Sequence, residues 1–263
     1  GLIDPAESAK HTAFQRFEKH HCNEMWQTDF KGDFLLGNGA RCYPLTILDD
    51  HSRFSIRIEP KDSATGVKES FIAAFKEYGL PNSVLSDNGA QFAGAHRGLS
   101  TFERFLMDLD ILPIHGRPIH PQTQGKIERF HRSLKQEALR TTPANITEAK
   151  ARLENWRWLY NEVRPHHALG MKTPGSVYQP STRKYYEPKP YVYDQGARLI
   201  KVNNWGYLRF GSIQLFLSEA MADTRVEIRF AEDDKFSVIY RNYIIATVDA
   251  VEGKLLERHI RRL

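Results

Sequence analysis

The sequence has few of the features that would place it in a membrane, outside the cell or in a disulfide-stabilised class. It has no run approaching the about 18 apolar residues that a transmembrane helix needs. Residues 1–25 contain no apolar stretch of the signal-peptide kind. Only two residues are cysteine, Cys22 and Cys42, which predicts two unpaired thiols in a reducing compartment. We therefore expect a cytoplasmic protein.

The chain also lacks the large excess of positive charge that histones and ribosomal tails carry. Its 37 Lys and Arg residues against 32 Asp and Glu residues give a net charge of +5 over 263 residues. The positive charge is concentrated between Leu112 and Arg140, where basic residues outnumber acidic ones and three histidines lie nearby. A local basic surface around a few acids suits an enzyme that acts on a polyanion. A solvated helix face is the simpler alternative.

Residues 24–162 predict an α/β domain with a mixed five-stranded sheet. Three strand-like runs with tight turns predict an antiparallel meander, and helices then alternate with two short strands. The predicted strands are Met25–Phe34, Arg41–Leu48, Phe54–Glu59, Ser83–Ser86 and Ile111–His115. The predicted helices cover Val67–Tyr78, a segment opened by the capping box Ser100–Glu103, about Pro121–Arg140 and Thr147–Glu162.

The flanking segments have different patterns. Residues 1–23 read as a polar N-terminal arm, and residues 163–195 contain five prolines and predict a semi-rigid extended linker. Residues 196–263 contain only strand-like runs, five or six of them at close spacing, which predicts a small β-barrel domain.

Three acidic residues stand out by their positions. Asp29 lies inside the first predicted strand, opposite its apolar face, where an acid is disfavoured unless it faces a cleft. Asp87 ends the fourth strand, and Glu128 opens the basic helix. Such elements can converge, and three carboxylates would then form an oxygen site for Mg²⁺ of the kind used in displacement at phosphorus. Taken singly, each acid is also explained as an edge-strand, turn or surface residue.

The basic helix has a second face that fits this chemistry. Glu128, Arg132 and Lys135 recur at i, i+4 and i+7, so they lie on one side of the helix, away from its apolar stripe. This face would carry a metal ligand followed by two cations spaced for successive phosphates. An ordinary Glu–Arg surface pair is the alternative.

Six short motifs follow one another between Met25 and Pro180. They are Trp26-Gln27-Thr28-Asp29-Phe30, Thr46-Ile47-Leu48-Asp49-Asp50-His51-Ser52-Arg53-Phe54, Tyr78-Gly79-Leu80-Pro81, Ser86-Asp87-Asn88-Gly89-Ala90-Gln91-Phe92, His120-Pro121-Gln122-Thr123-Gln124-Gly125-Lys126-Ile127-Glu128-Arg129-Phe130 and Tyr160-Asn161-Glu162-Val163-Arg164-Pro165-His166-His167-Ala168-Leu169. In this order they resemble the integrase-core superfamily of retroviral integrases and DDE transposases. The last motif, just before Thr173-Pro174, is most similar to the bacterial insertion-sequence type.

The resemblance implies an α/β RNase H-like core followed by a small all-β, SH3-like barrel. It implies a DDE triad of Asp29, Asp87 and Glu128, which would be both the catalytic residues and the ligands of two Mg²⁺ or Mn²⁺ ions. The implied enzyme is a polynucleotidyl transferase that cleaves transposon ends and transfers the 3′-OH into target DNA. The spacing from Asp87 to Glu128, 41 residues, is longer than in many relatives.

The resemblance also implies double-stranded DNA, at transposon ends and at the target, as the partner. The residues expected to bind DNA or line the site are Asn88, Gln91, Lys126, Arg129, Arg132 and Lys135. We expect a homo-oligomer on DNA, associated with the bacterial nucleoid and with no membrane. The helix-turn-helix modules that usually precede such cores are absent from the few residues before Met25, so either the parent protein is longer or end recognition lies elsewhere.

Two other functions stay open from the sequence. A nuclease of the RNase H class would keep the fold and hydrolyse RNA–DNA hybrids without joining them. A DNA-binding or assembly factor derived from a transposase would bind DNA without turnover.

Overall fold

The computed structural model of the chain describes residues 18–93, 98–115, 125–231 and 234–263. Most of the predicted arm, residues 1–17, and residues 116–124, which include His120 to Gln124, lie outside the described residues. None of the helices in the described ranges is both long and apolar enough to cross a membrane.

The first half of the chain forms one mixed sheet of six strands. They are β1 Trp26–Phe30, β2 Phe34–Leu35, β3 Arg41–Asp49, β4 Ser55–Lys61, β5 Ser83–Ser86 and β6 Leu112–His115. The first predicted strand is split into β1 and β2 because Gly32, with φ of +89°, interrupts the extended backbone. The other four predicted strands are confirmed.

Strand β1 lies at the centre of this sheet. The order is β2-β3-β1-β5-β6, and β4 pairs with β3. β1 is antiparallel to β3 and parallel to β5, and β5 is parallel to β6. The mixed sheet is therefore confirmed, and the carboxyl ends of β1 and β5 meet at one edge.

Helices cover both faces of the sheet. They are α1 Val67–Tyr78, α2 Ala90–Ala93, α3 Thr101–Asp108, α4 Gly125–Glu137, α5 Ile146–Trp158 and α6 Pro174–Val177. α1 and α3 pack on the face that carries Trp26 and Ile47. α4 and α5 pack on the opposite face, where Phe130 meets Leu48. The capping box predicted for α3 is present in full.

The last predicted helix of the α/β domain ends earlier than expected. α5 stops at Trp158, and the chain continues as a π-helical turn, Leu159–Val163. The buried side chain of Asn161 bonds to both the backbone N–H and the backbone carbonyl of Ser55 in β4. This contact holds the wider turn against the sheet.

Residues 199–262 form a second, antiparallel sheet and a hairpin. The strands are β7 Leu199–Lys201, β8 Tyr207–Phe210, β9 Ile213–Phe216, β10 Arg225–Phe230, β11 Lys235–Tyr240, β12 Tyr243–Asp249, β13 Leu255–Glu257 and β14 Arg261–Arg262. The sheet order is β13-β12-β11-β10-β7 with β14 beside β12, while β8 and β9 pair with each other. The predicted strands are confirmed, whereas their closure into an SH3-like barrel is not.

The second sheet docks directly on the α/β domain. Met107 of α3 is 1% exposed and packs in the same core as Val226 and Phe236. The hydroxyl of Tyr240 donates to Asp108 at 2.6 Å, and that of Tyr243 donates to Asp110 at 3.1 Å.

The proline-rich segment between the two sheets packs on the α/β domain. Its first half contains a 3-10 helix, His167–Leu169, and helix α6, and it is without helix or strand from residue 178 to residue 194. The backbone N–H of Leu80 donates to the carbonyl of Arg183 at 2.7 Å. The Arg183 guanidinium donates to the carbonyls of Pro81 and Asp110, both at 2.8 Å. Gly79 permits this close approach, since a Cβ there would lie 2.6 Å from the carbonyl oxygen of Ser181.

Candidate active site

The three acids predicted from the sequence lie on elements that meet at one edge of the mixed sheet. Asp29 is in β1, opposite Thr46 of β3. Asp87 directly follows β5, the parallel neighbour of β1. Glu128 is in the first turn of α4, the helix that covers this face of β1. The topology therefore directs the three side chains to the same region.

The electrostatics of Asp29 support this arrangement. Its burial, together with the charges of Asp87 and Glu128, raises its pKa to about 7. A carboxylate is destabilised when it is taken out of water and placed near other negative charges. The charges of both Asp87 and Glu128 thus act on Asp29, which indicates that the three carboxyl groups lie near one another.

The three acids do not yet form a ready set of metal ligands. In the described part of the chain, no group of three or more His, Cys, Asp or Glu side chains is arranged to hold a metal ion. Coulombic interaction extends beyond coordination distance, so a raised pKa and an open arrangement are compatible. Glu128 is exposed, and rotation about its side-chain bonds can move its carboxylate while α4 stays in place.

A histidine that the sequence reasoning did not select also lies against Asp29. Nδ1 of His131 is 3.8 Å from Oδ2 of Asp29, and Nε2 is 2.7 Å from the hydroxyl of Thr46. That hydroxyl donates its only proton to the backbone carbonyl of Asp29 at 2.9 Å, so Nε2 of His131 is the donor to Thr46. Burial and the charge of Lys31 lower the pKa of His131 to about 4, so the ring is neutral.

The turn after β5 brings two further predicted residues beside Asp87. Oδ1 of Asp87 accepts a hydrogen bond from the backbone N–H of Gly89 at 3.0 Å. The amide of Gln91 packs over Gly89, where a Cβ would lie only 2.4 Å from its Nε2. Asn88 is exposed on the same turn. Asn88 and Gln91 therefore lie next to Asp87, and their role in lining the site stays a prediction.

A buried Glu103–His115 pair supports this turn from below. Glu103 is 4% exposed, and one of its oxygens lies 2.8 Å from Nε2 of His115. Nδ1 of His115 lies 3.3 Å from the carbonyl oxygen of Asp87. Burial alone would lower the pKa of His115, but the hydrogen bonds and charges of Glu103 and, to a smaller extent, of Asp87 outweigh it and raise that pKa.

Replacing Glu103 by Gln is expected to destabilise the protein more in acid than in base. Because the pKa of His115 is raised on folding, its stabilisation is present in full below its unfolded pKa and is lost as pH rises through the folded value. Gln can still accept from the backbone N–H of Ser100, which keeps the capping box. Urea unfolding at about pH 5.5 and pH 9 should show a loss of about 1–3 kcal/mol at the lower pH and a smaller loss at the higher one.

The control for this variant is Glu69→Gln, at an exposed position in the first turn of α1. Its effect should not depend on His115. Equal losses for Glu103→Gln at both pH values would contradict the coupling.

The predicted basic residues of α4 divide into two groups. Arg132 and Lys135 are exposed and share a helix face with Glu128, while Arg129 is exposed about 100° further round. Lys31 is a further basic residue here, which the sequence reasoning missed. Burial and then the charge of Lys135 lower the pKa of Lys31, which indicates that the two ammonium groups lie close together. Lys31 follows Asp29 by two residues, and period-two alternation at the end of β1 was the signal for it.

Lys126 differs from the other predicted DNA-binding residues. Its ammonium group lies 2.7 Å from Oδ2 of Asp50, and the side chain is only 12% exposed. The predicted contact of Lys126 with DNA stays a prediction, and in the structure its ammonium group faces Asp50 in the protein interior. The physical reason is its helix position, at the margin of the stripe that includes Phe130.

Comparison with known protein families identifies the α/β domain. Residues 19–121 match a family model described as the integrase core domain, and residues 109–174 match a second model with the same description. Together the two models span more than half of the chain.

Two of the curated relatives come from bacterial insertion elements. An uncharacterized 39.2 kDa protein of insertion element IS476 from Xanthomonas euvesicatoria is 29% identical over 157 residues, covering 58% of this chain and 43% of the relative. An uncharacterized 31.7 kDa protein of IS407 from Burkholderia multivorans is 31% identical over 158 residues, covering 58% and 54%. The chain spans about half the length of these relatives.

Among solved structures, the chain is similar to one in the intasome of simian T-cell lymphotropic virus bound to a PP2A regulatory subunit. The similarity has a TM-score of 0.50 at 18% identity and covers 93% of this chain and 81% of the other. At that identity it supports the fold alone. The predicted RNase H-like integrase-core fold is confirmed for the α/β domain.

Proposed function

We propose that this chain, which belongs to the integrase-core family of insertion-element transposases and retroviral integrases, is a DNA transposase. It would cleave DNA at the ends of a mobile element and join the freed 3′-OH to target DNA. The observation that carries the proposal is the placement of Asp29, Asp87 and Glu128 at one edge of the sheet, where burial and the charges of Asp87 and Glu128 raise the pKa of the half-buried Asp29 carboxyl to about 7. Perturbed carboxyl groups in such a cluster are typical of catalytic sites.

The donor chemistry of the site residues suits divalent cations. Asp29, Asp87 and Glu128 supply hard oxygen donors, and the mutual repulsion of their charges is the kind of strain that a cation relieves. Bound as a pair, Mg²⁺ or Mn²⁺ ions would lower the pKa of the attacking hydroxyl and offset negative charge at the phosphate. His131 and Thr46 hold the Asp29 backbone in place.

The cations beside the acids suit a nucleic-acid backbone. Lys31, Arg132 and Lys135 lie at the same edge as the acids, and the last two are exposed. Phosphate contacts of this type position DNA without reading its sequence. The similar viral chain belongs to an intasome, and we extend that to a homo-oligomer of this protein assembled on paired element ends.

Replacing Arg132 and Lys135 together by Ala is expected to weaken DNA binding and reduce its salt dependence. Each phosphate contact contributes about 0.9 to the slope of log K against log salt, so the double variant should lose about 1.8 from that slope. Fluorescence anisotropy with a labelled duplex over a series of salt concentrations measures both quantities.

The control is Lys68→Ala together with Lys76→Ala. Both lysines are exposed on α1, on the opposite face of the sheet, and their loss changes the net charge by the same amount. If the two double variants change the slope equally, the effect belongs to net charge and not to the α4 face.

The proposed activity is tested with the full chain, a duplex that carries the end of the mobile element adjoining its coding sequence, and a supercoiled target plasmid. With Mg²⁺ or Mn²⁺, we expect cleavage of the duplex and joining of its 3′ end to the plasmid, both abolished by Glu128→Gln. Hydrolysis of an RNA–DNA hybrid without joining would favour the RNase H-class nuclease. Salt-sensitive DNA binding without turnover would favour an assembly factor.

A further inference from the structure

Asp50 is a fully buried acid that connects two elements of the candidate active site. It follows β3 directly and is 0% exposed. Its Oδ1 accepts a hydrogen bond from Nε2 of Gln27 at 2.6 Å, and its Oδ2 accepts one from Nζ of Lys126 at 2.7 Å. The same ammonium group lies 3.2 Å from the backbone carbonyl of Asp50. One carboxylate thus holds a strand and a helix together.

The two residues that Asp50 binds each lie two positions before one of the site acids. Gln27 precedes Asp29 by two residues in β1, so both side chains leave the same face of the sheet. Lys126 precedes Glu128 by two residues, within the first turn of α4. A shift of Lys126 relative to Gln27 would therefore move Glu128 relative to Asp29 by a similar distance.

We propose that Asp50 is a positioning residue, which sets the separation of Asp29 and Glu128 through its bonds to Gln27 and Lys126. The inference rests on the proposed function, since it gives those acids a shared metal site. Asp50 is fully buried, so it cannot contact the substrate, and its hydrogen bonds go to Gln27, Lys126 and Lys19 and not to the carboxylates of Asp29 or Glu128. Its effect is on how closely the two carboxylates can approach, and hence on how tightly they bind cations.

The hydrogen bond between Lys126 and Asp50 restrains α4 more tightly than the apolar contacts of the helix do. α4 already buries Phe130 and Leu134 against the sheet, and these apolar contacts permit small sliding movements. A charge-assisted hydrogen bond at the start of the helix fixes its first turn more narrowly. Asp50 also accepts a hydrogen bond from the backbone N–H of Lys19 at 2.8 Å, so the same carboxylate also binds the segment that leads into β1.

The test measures Mn²⁺ binding by electron paramagnetic resonance on the full chain without DNA. Asp50→Asn keeps the shape of the side chain and removes its charge. Its dissociation constant for Mn²⁺ should rise by about tenfold or more, the usual effect of losing a group that orients metal ligands. The double variant Asp50→Asn with Lys126→Met should bind no more weakly than the weaker single variant, because the two side chains act as one unit.

A matched control separates positioning from stability. Asp108 is 15% exposed and also forms an ion pair, 2.7 Å from Arg241, at the junction with the second sheet. Asp108→Asn should lower the thermal midpoint as Asp50→Asn does and leave Mn²⁺ affinity within about twofold of the wild type. Should Asp50→Asn fail to fold, the double variant, which leaves no unpaired buried charge, provides the measurement.

Asp29→Asn distinguishes failure of this inference from failure of the proposed function. If Asp29→Asn loses Mn²⁺ binding while Asp50→Asn keeps wild-type affinity, the positioning role of Asp50 is overturned and the metal site stands. If Asp29→Asn itself binds Mn²⁺ as the wild type does, the metal site and the role of Asp50 are both overturned.

Discussion

Asp29→Asn is expected to abolish strand transfer while stabilising the metal-free protein at neutral and alkaline pH. Loss of activity should reach about a thousandfold or more, because several kcal/mol of transition-state stabilisation depend on the cations that the three acids would bind. The gain in stability has a separate cause, which is the burial of Asp29 beside Asp87 and Glu128. Asp29 would thus be required for catalysis while it lowers the unfolding free energy of the metal-free protein.

The direction of the pH effect follows from the raised pKa. In the folded chain Asp29 keeps its proton up to about pH 7, whereas its ordinary value is 3.8. The unfolded chain therefore releases the proton first, and the stabilisation from Asp29 is lost as pH rises towards and through the folded value. Asn does not ionise, so the variant escapes this loss.

The expected size is modest because Asp29 is 28% exposed, and solvent weakens the repulsion. The unfolding free energy of Asp29→Asn relative to that of wild type should increase by about 1–2 kcal/mol as the pH rises from 4 to 8. Urea unfolding in the presence of a chelator measures it. Added Mn²⁺ should then raise the stability of wild type and not of the variant.

Asp62→Asn, at an exposed position after β4, is the control and should change neither activity nor the pH dependence. Strand transfer that survives Asp29→Asn would remove Asp29 from the catalytic residues. A stability difference independent of pH would mean that the carboxyl is not perturbed as described.

The elements that bring the acids together were predictable because local patterns encode them. Alternating residues identified β1, and the spacing of Ser100 and Glu103 identified the start of α3. The position of Asp87 at the end of β5 followed from the short apolar run before it. A parallel pairing of β1 and β5 then accounts for the proximity of Asp29 and Asp87.

The contacts around the acids were not predictable in the same way. Lys126 reads as a member of a basic surface until Asp50, distant in sequence, is placed against it. His131 lies three residues after Glu128 in α4, but its partner Thr46 is in strand β3, far away in the sequence. Such contacts depend on sheet register and helix position, which no local pattern specifies.

The second sheet illustrates the same limit. Alternation of apolar residues along β10 and β11 predicts strands, and in the structure these two strands are present and pair antiparallel. The same alternation fits a closed barrel and an open sheet equally well, because closure depends on which edge strands pair. Composition likewise predicted that residues 163–195 are extended and could not indicate what they pack against.

Tyr178→Ala is expected to cost about 3–5 kcal/mol of unfolding free energy, a large loss for a residue in a segment that reads as a linker. The ring of Tyr178 is 9% exposed and stacks on Phe54 with centroids 4.3 Å apart. Its hydroxyl donates at 2.8 Å to Oδ1 of Asn23, which also accepts from the indole of Trp26 in β1. Removing the ring would leave a cavity beside the sheet.

Two further variants show where this loss of unfolding free energy comes from. Tyr178→Phe keeps the stacking and removes the hydroxyl, so it should cost about 1 kcal/mol. Tyr186→Ala, in the same segment at 44% exposure, should stay within about 0.5 kcal/mol of wild type. If Tyr178→Ala costs no more than Tyr186→Ala in urea unfolding, residues 178–185 are a spacer. If it costs the expected amount, the segment is part of the α/β core, and changes in its length would disturb β1 and the acid that β1 carries.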